Sequence, residues 1–306
     1  MCTQSMTIKL FGHVIHPHGN LKLMSHLKLF PVWTIIILAA CSSADNKKEE
    51  FKLQRQFLQY SEFVKDTFYI DVQIPKEYKD NPSKKYPTFV FVDGNFYFPM
   101  ISPIIHQYET AGLLEPAIVV SIGYKTFGLM DSLRVRDYLF PKAMPSDEIK
   151  ASGGGQDFYN YITKELLPKI DADFRTDKAD RTLLGHSFGG YFVLYSLLNQ
   201  TSQTNDFKNF ISASPTLWYN DFYLNKLADQ LSNNEKNLGL FLSVGELEDS
   251  TWSVKPVKDL TTKIQDKKIK GLKFESRIFN HLDHMDVALL TFTKGLQELR
   301  KPKRAD

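Results

Sequence analysis

The stretch Leu183-Leu184-Gly185-His186-Ser187-Phe188-Gly189-Gly190-Tyr191-Phe192 (LLGHSFGGYF) sets one serine between a histidine and a phenylalanine and brackets all three with glycines. The preceding segment "RTLLG" reads as a short apolar strand, and "GGYFVLYSLLN" after the serine reads as a helix. In that context G-x-S-x-G is a sharp turn that lifts a serine hydroxyl above a sheet with a helix N-terminus beneath it. Its glycines serve where a Cβ would collide with the adjoining strand or helix. An ordinary glycine-rich turn has the same letters, so the partners of Ser187 decide its meaning.

Outward from this turn the chain alternates strands and helices. "TFYIDVQIP" (67–75) alternates apolar and polar residues as an exposed antiparallel strand does, whereas "TFVFV" (88–92) and "AIVVSIG" (117–123) are continuous apolar runs of the kind found in buried parallel strands. In "DFYNYITKELLPKIDADF" (157–174), Phe158, Tyr161, Ile162, Leu166 and Ile170 fall at helical spacing. "FKNFISAS", "NLGLFLSVG" and "KFESRIF" read as strands, and "MDVALLTFTKGLQELR" as a closing helix. The expectation is an α/β fold over residues 51–306: a mostly parallel sheet with helices on both faces, in one domain. Sites in such sheets form beyond the carboxyl ends of the strands.

The N-terminus reads differently. Lys22 and Lys28 precede an apolar run from Leu29 to Ala40 of about 12 residues, shorter than the roughly 20 a spanning helix needs. Residues 1–40 are therefore expected to be a secretory signal, with translation starting at Met24 as one option. Leu38-Ala39-Ala40-Cys41 resembles the lipobox of bacterial lipoproteins, which implies lipid on Cys41, membrane attachment, and a periplasmic or outer-membrane location. The polar residues 41–50 then form a tether.

Residues 1–40 contain three lysines and no acid, so their removal takes the formal charge from +3 to zero. A neutral chain has no general electrostatic attraction for nucleic acid. Cys41 is then the only thiol, which leaves no disulfide. His13, His16 and His18 lie in the leader without an acidic neighbour, so no metal is expected there and no cofactor elsewhere.

A serine hydroxyl becomes a nucleophile only beside a base, usually a histidine oriented by a carboxylate. After residue 40 the histidines are His106, His186, His281 and His284. His186 adjoins the serine on a tight turn and suits packing or shaping of the site; His106 precedes it in the chain. "IFNHLDHMD" follows the last strand, and His284, at the start of the closing helix, is the expected base, with His281 a loop residue. "LSVGELEDS" offers Glu246, Glu248 and Asp249 as the acid, with Glu248 preferred and Glu246 second. The negative charge of an attacked carbonyl would need backbone N–H donors. Phe188, after the serine, and Asn95, exposed by the Asp93-Gly94 turn, are the candidates.

With "YPTFVFVDGNFYF", "AIVVSIGY", "RTLLGHSFGGYF", "ISASPTLWY", "LSVGELED" and "LDHMDVALLTFTKGLQEL" in this order, the chain from about Thr67 to Leu299 resembles the esterase family of α/β-hydrolases. That family includes esterase D, siderophore esterases, feruloyl esterases and mycolyltransferases. The resemblance implies Ser187 as nucleophile, His284 as base, Glu248 as third member and Asn95 as an oxyanion donor. Some relatives have aspartate at the position of Glu248. Arg136 resembles an arginine of the siderophore-hydrolysing branch and is a candidate substrate contact, as is Trp218 of "ISASPTLWY". Residues 125–155, with Arg134, Arg136, Tyr138 and Phe140, are expected to cover the site with an aromatic, partly cationic wall suited to an acidic or catechol-bearing ester. Acyl transfer to an alcohol on the same triad, and a lipid-anchored binding protein without turnover, are the alternatives.

Overall fold

The computed structural model describes residues 54–200, 206–232 and 237–300. The expected signal, Cys41 and the tether lie outside these residues. In chain order the strands are β1 (Gln54–Ser61), β2 (Asp66–Gln73), β3 (Tyr86–Phe91), β4 (Ile118–Gly123), β5 (Thr176–His186), β6 (Asn209–Ala213), β7 (Leu238–Gly245) and β8 (Leu272–Phe279). The helices are α1 (Gly94–Thr110), α2 (Phe127–Tyr138), α3 (Gly155–Tyr161), α4 (Leu167–Asp173), α5 (Phe188–Asn199), α6 (Tyr219–Phe222), α7 (Leu227–Leu231), α8 (Lys255–Asp266) and α9 (Val287–Arg300). A wider turn at Ile162–Leu166 joins α3 to α4, so the single helix expected over 157–174 is continuous but not uniform.

The strands form one sheet in the order β1-β2-β4-β3-β5-β6-β7-β8. From β4 to β8 every pairing is parallel, while β1 and β2 join antiparallel at one edge. The alternating segment 67–75 thus lies one strand in from the edge, covered by β1, a strand the sequence reading did not single out.

Period-two alternation explains why helices cover both faces. Phe89 and Phe91 of β3 pack with Tyr97, Ile101 and Ile105 of α1 and Phe292 and Leu296 of α9. Val90 and Val92, pointing the other way, join the core under α3, α4, α5 and α8. Both sides bury apolar surface, which is why the central strands read as continuous apolar runs rather than alternating ones.

The turn at Ser187 is one residue long: β5 ends at His186 and α5 begins at Phe188. Ser187 adopts φ 59°, ψ −118°, a conformation that costs a non-glycine residue roughly 1–3 kcal/mol. Hydrogen bonds from Ser187 N to Ala213 O (3.0 Å) and from Tyr191 N to Ser187 O (2.9 Å) hold it. Gly185 makes this geometry possible: a Cβ there would lie 2.3 Å from Gly189 O and 2.9 Å from a Val92 methyl. The clash is with backbone, so it cannot be relieved by a rotamer change. Gly185→Ala is expected to lower unfolding free energy by about 3 kcal/mol in urea titrations. A loss below about 1 kcal/mol would mean that α5 shifts freely on β5.

Candidate active site

Ser187, His284 and Glu248 come from three separate segments that meet at the carboxyl edge of the sheet. Ser187 follows β5, Glu248 lies in the turn after β7, and His284 lies between β8 and α9. The His284 segment crosses directly over the end of β7. Leu247 N donates to Leu282 O at 3.0 Å, and a Cβ on Gly245 would come within 2.4 Å of that same carbonyl. Asp283 then closes the turn that leads into α9, its Oδ1 accepting from the N–H groups of Met285 and Asp286.

The His284 imidazole faces Glu248, with Nδ1 to Oε2 at 2.7 Å. The other carboxylate oxygen, Oε1, accepts from Gly245 N at 2.7 Å and from the Ser214 hydroxyl. Burial raises the Glu248 carboxyl pKa, but the hydrogen bonds from His284, Ser214 and Gly245 outweigh it and hold the group below the ordinary carboxylate value. Glu246 does not compete. It is half-exposed and accepts from His281 N at 3.0 Å, while the His281 side chain lies in solvent.

Ser187 and His284 line the same two cavities. One, of about 260 Å³, is bounded by Asp93, Phe96, Tyr97, Phe127, Met130, Asp131, Arg134 and Met285. The other, of about 330 Å³, runs from Phe188 along Ser214, Pro215 and Thr216 to Trp218. Among the described residues no hydrogen bond links Ser187 Oγ to His284. Such contacts are commonly loose without substrate and tighten when it binds.

His186 is buried behind this pair and holds the His284 segment. Its Nε2 lies 2.7 Å from the His284 carbonyl oxygen, and its Nδ1 lies 2.7 Å from the Tyr97 hydroxyl. A carbonyl only accepts, so Nε2 carries the proton and Nδ1 accepts from Tyr97. Burial, reinforced by His284 and Arg134, pulls the His186 pKa down to about 3 from 6.5. The unfolded chain binds this proton below pH 6.5 and the folded one does not, so the stability linked to neutral His186 is complete above 6.5 and declines toward pH 3. Urea unfolding between pH 6 and 4 should accordingly show a slope for wild type that His186→Gln lowers by about one proton, or roughly 1.4 kcal/mol per pH unit. Equal slopes would mean that His186 titrates normally in the folded protein.

The two arginines of α2 meet different surroundings. Arg136 lines neither cavity: it forms ion pairs with Asp137 (2.6 Å) and Asp66 (2.9 Å). Arg134 faces the site instead, binding both carboxylate oxygens of the buried Asp93 at 2.9 and 2.7 Å and the His186 carbonyl at 3.1 Å. Residues two apart on a helix point to opposite sides. Met130 and Tyr138 are buried, and the i, i+4, i+8 stripe through them contains Arg134, a signal present in the sequence as helical spacing.

The other predicted residues divide. Phe188 lines the second cavity and supplies the first N–H of α5, where helix donors lack intrahelical acceptors. Asn95 sits in the first turn of α1 but lines neither cavity. Its side chain is committed to Tyr124, donating to the carbonyl at 2.7 Å and accepting from the N–H at 2.6 Å. Trp218 stands between the second cavity and a third of about 420 Å³. Phe222 and Trp252, absent from the sequence reading, form the far wall of that third cavity.

An eight-stranded, mostly parallel sheet with a strained serine at the strand-to-helix turn defines an α/β-hydrolase fold. The family described as "Putative esterase" matches residues 61–285, and the chain belongs to it. It is 32% identical over 182 residues to the ferri-bacillibactin esterase BesA of Bacillus subtilis, covering 55% of this chain and 62% of that protein. It is 30% identical over 145 residues to an apo-salmochelin esterase of Escherichia coli, covering 44% and 43% respectively. The chain thus spans about half the length of these curated relatives. Among solved structures, the BES protein of Bacillus cereus superposes with a TM-score of 0.71 at 28% identity, covering 81% of this chain and 94% of that one.

Proposed function

We propose that this chain is a serine carboxylic-ester hydrolase acting on siderophore-type or related aromatic esters. The observation that supports it best is the His284–Glu248 hydrogen bond beside a strained serine, with Ser187 and His284 sharing two cavities. In this reading Ser187 Oγ bonds to the ester carbonyl carbon as its proton passes to His284 Nε2. The carbonyl electron pair becomes an oxyanion held by backbone N–H groups, for which Phe188 and Asn95 are the candidates. When the tetrahedral intermediate collapses, the C–O bond to the alcohol breaks and His284 returns the proton to the departing oxygen. Water then repeats the sequence on the acyl-serine and releases the acid. Glu248 keeps the Nδ1 proton of His284 in place throughout.

The siderophore component is supported by the names of the relatives from Bacillus subtilis and Escherichia coli. Its test is a substrate panel: a cyclic catecholate triester should be cleaved at least about tenfold faster, in kcat/KM, than aryl acetate. Equal or slower cleavage of the triester would remove siderophores from the reading and leave a general esterase. A lipid anchor on Cys41 is proposed from the lipobox resemblance alone, and mass spectrometry of the N-terminal peptide from membranes tests it.

A further inference from the structure

The charge of the site does not match the partly cationic wall expected from sequence. Three adjoining cavities make up the site: Ser187 and His284 are shared by the first and second, and Trp218 by the second and third. Among the residues lining them, Arg134 is the only arginine or lysine, and it is spent on Asp93. The remaining charged side chains are acids. Glu248 is engaged with His284, and the buried Asp147 accepts from the N–H groups of Met144 (2.7 Å) and Asn220 (3.3 Å). Asp131, Asp249, Glu148 and Asp221 are exposed at the rims, and none pairs with a cation among the described residues.

The same space is aromatic. In the third cavity, which Trp218 and Met144 also line, Phe222 and Trp252 lie with their rings within 12° of parallel and their centroids 6.3 Å apart. Trp252 is half-exposed, as is Phe127 at the mouth of the first cavity. Aromatic faces carry negative quadrupole charge and attract cations, which reinforces the carboxylates.

Resting on the ester-hydrolase reading of this site, we infer that the enzyme selects neutral or cationic aromatic esters against anionic ones. Within the siderophore class it therefore takes the metal-free catecholate ester and rejects the trianionic ferric complex. The discriminating element is the carboxylate rim formed by Asp131, Glu148, Asp221 and Asp249, with Trp218, Phe222 and Trp252 receiving the planar group. Each rim carboxylate about 8 Å from a bound charge, in water-like surroundings, changes its affinity roughly twofold at low salt, so two within that reach separate a cation from an anion by roughly tenfold or more. At physiological ionic strength the effect shrinks several-fold, because the rim is exposed.

The test uses the full chain and aryl esters of one acid whose ring carries trimethylammonium, hydrogen or carboxylate. The expected order of kcat/KM is cation, neutral, anion, with a cation-to-anion ratio of about tenfold or more at low salt that falls in 0.5 M sodium chloride, where the Debye length is only about 4 Å. Asp221→Asn combined with Glu148→Gln should narrow that ratio; both positions are exposed, and asparagine tolerates the left-handed φ of 49° at residue 221. Metal-free catecholate triester should be cleaved faster than its ferric complex. An anionic ester cleaved as fast as the cationic one, or a ratio unmoved by salt and by the double variant, overturns the inference.

Tryptophan-fluorescence titration with the corresponding phenols gives a readout independent of turnover. If no ester is cleaved and a fluorophosphonate leaves Ser187 unlabelled, the hydrolase reading fails. Preferential binding of the cationic phenol would still support the charge selection, and equal binding would overturn it.

Discussion

Ser187→Ala is expected to lower kcat/KM on any ester substrate by about 10⁵-fold or more and to abolish labelling by a fluorophosphonate. The size follows from the chemistry. The hydroxyl oxygen forms the covalent bond, and alanine leaves only binding and the backbone donors to act on a water molecule. Ser187→Gly should be equally inactive yet unfold at a higher temperature than Ser187→Ala. At φ 59°, ψ −118° glycine escapes the strain that serine and alanine both bear, and the relief is about 1 kcal/mol after the larger chain entropy of glycine is counted. A Ser187→Ala protein that keeps a substantial fraction of activity would place the nucleophile elsewhere.

Glu248→Gln is expected to reduce kcat by about 10³–10⁴-fold with a small effect on KM. A glutamine here can turn its NH₂ toward His284 Nδ1, which then must accept, and the ring proton moves to Nε2. A nitrogen that already carries a proton cannot take one from Ser187. Turning the amide oxygen toward His284 instead puts NH₂ against the N–H of Gly245 and the Ser214 hydroxyl, both of which donate to Glu248 Oε1 now. That arrangement sets donors against one another in a buried turn. Glu248→Asp keeps the charge but falls about one methylene short of the 2.7 Å contact and should lose less. Unchanged kcat in Glu248→Gln would show that His284 needs no orienting carboxylate.

Much of the fold was legible because its signals are local. The apolar runs at 88–92 and 117–123, the turn at Gly185–Gly190 and the closing helix are set by side-chain period and glycine placement within a few residues. Elements with mixed signals were not singled out. β1 is largely exposed on its edge, and α1 carries Pro99 and Pro103 inside a helix that tertiary packing nevertheless sustains. The expectation for Arg136 rests on a family resemblance, whereas the phase of α2, with Met130 and Tyr138 buried, is what turns Arg134 toward the cavity.

What the sequence by itself determined is the chemistry in reach: a serine on a strand-to-helix turn, one histidine late in the chain beside a helix start, and a few carboxylates after a strand. Those are properties of residue type and near neighbours. Only the tertiary structure decided that Glu248 and not Glu246 meets His284, that His186 holds the His284 carbonyl, and that Arg134 is consumed by Asp93. Each is a contact between segments far apart in the chain, and the net charge of a site is a sum over such contacts. An arginine counts as a cation in a list of residues but not once it is paired within a fold, and here that pairing turns an expected cationic wall into an acidic one.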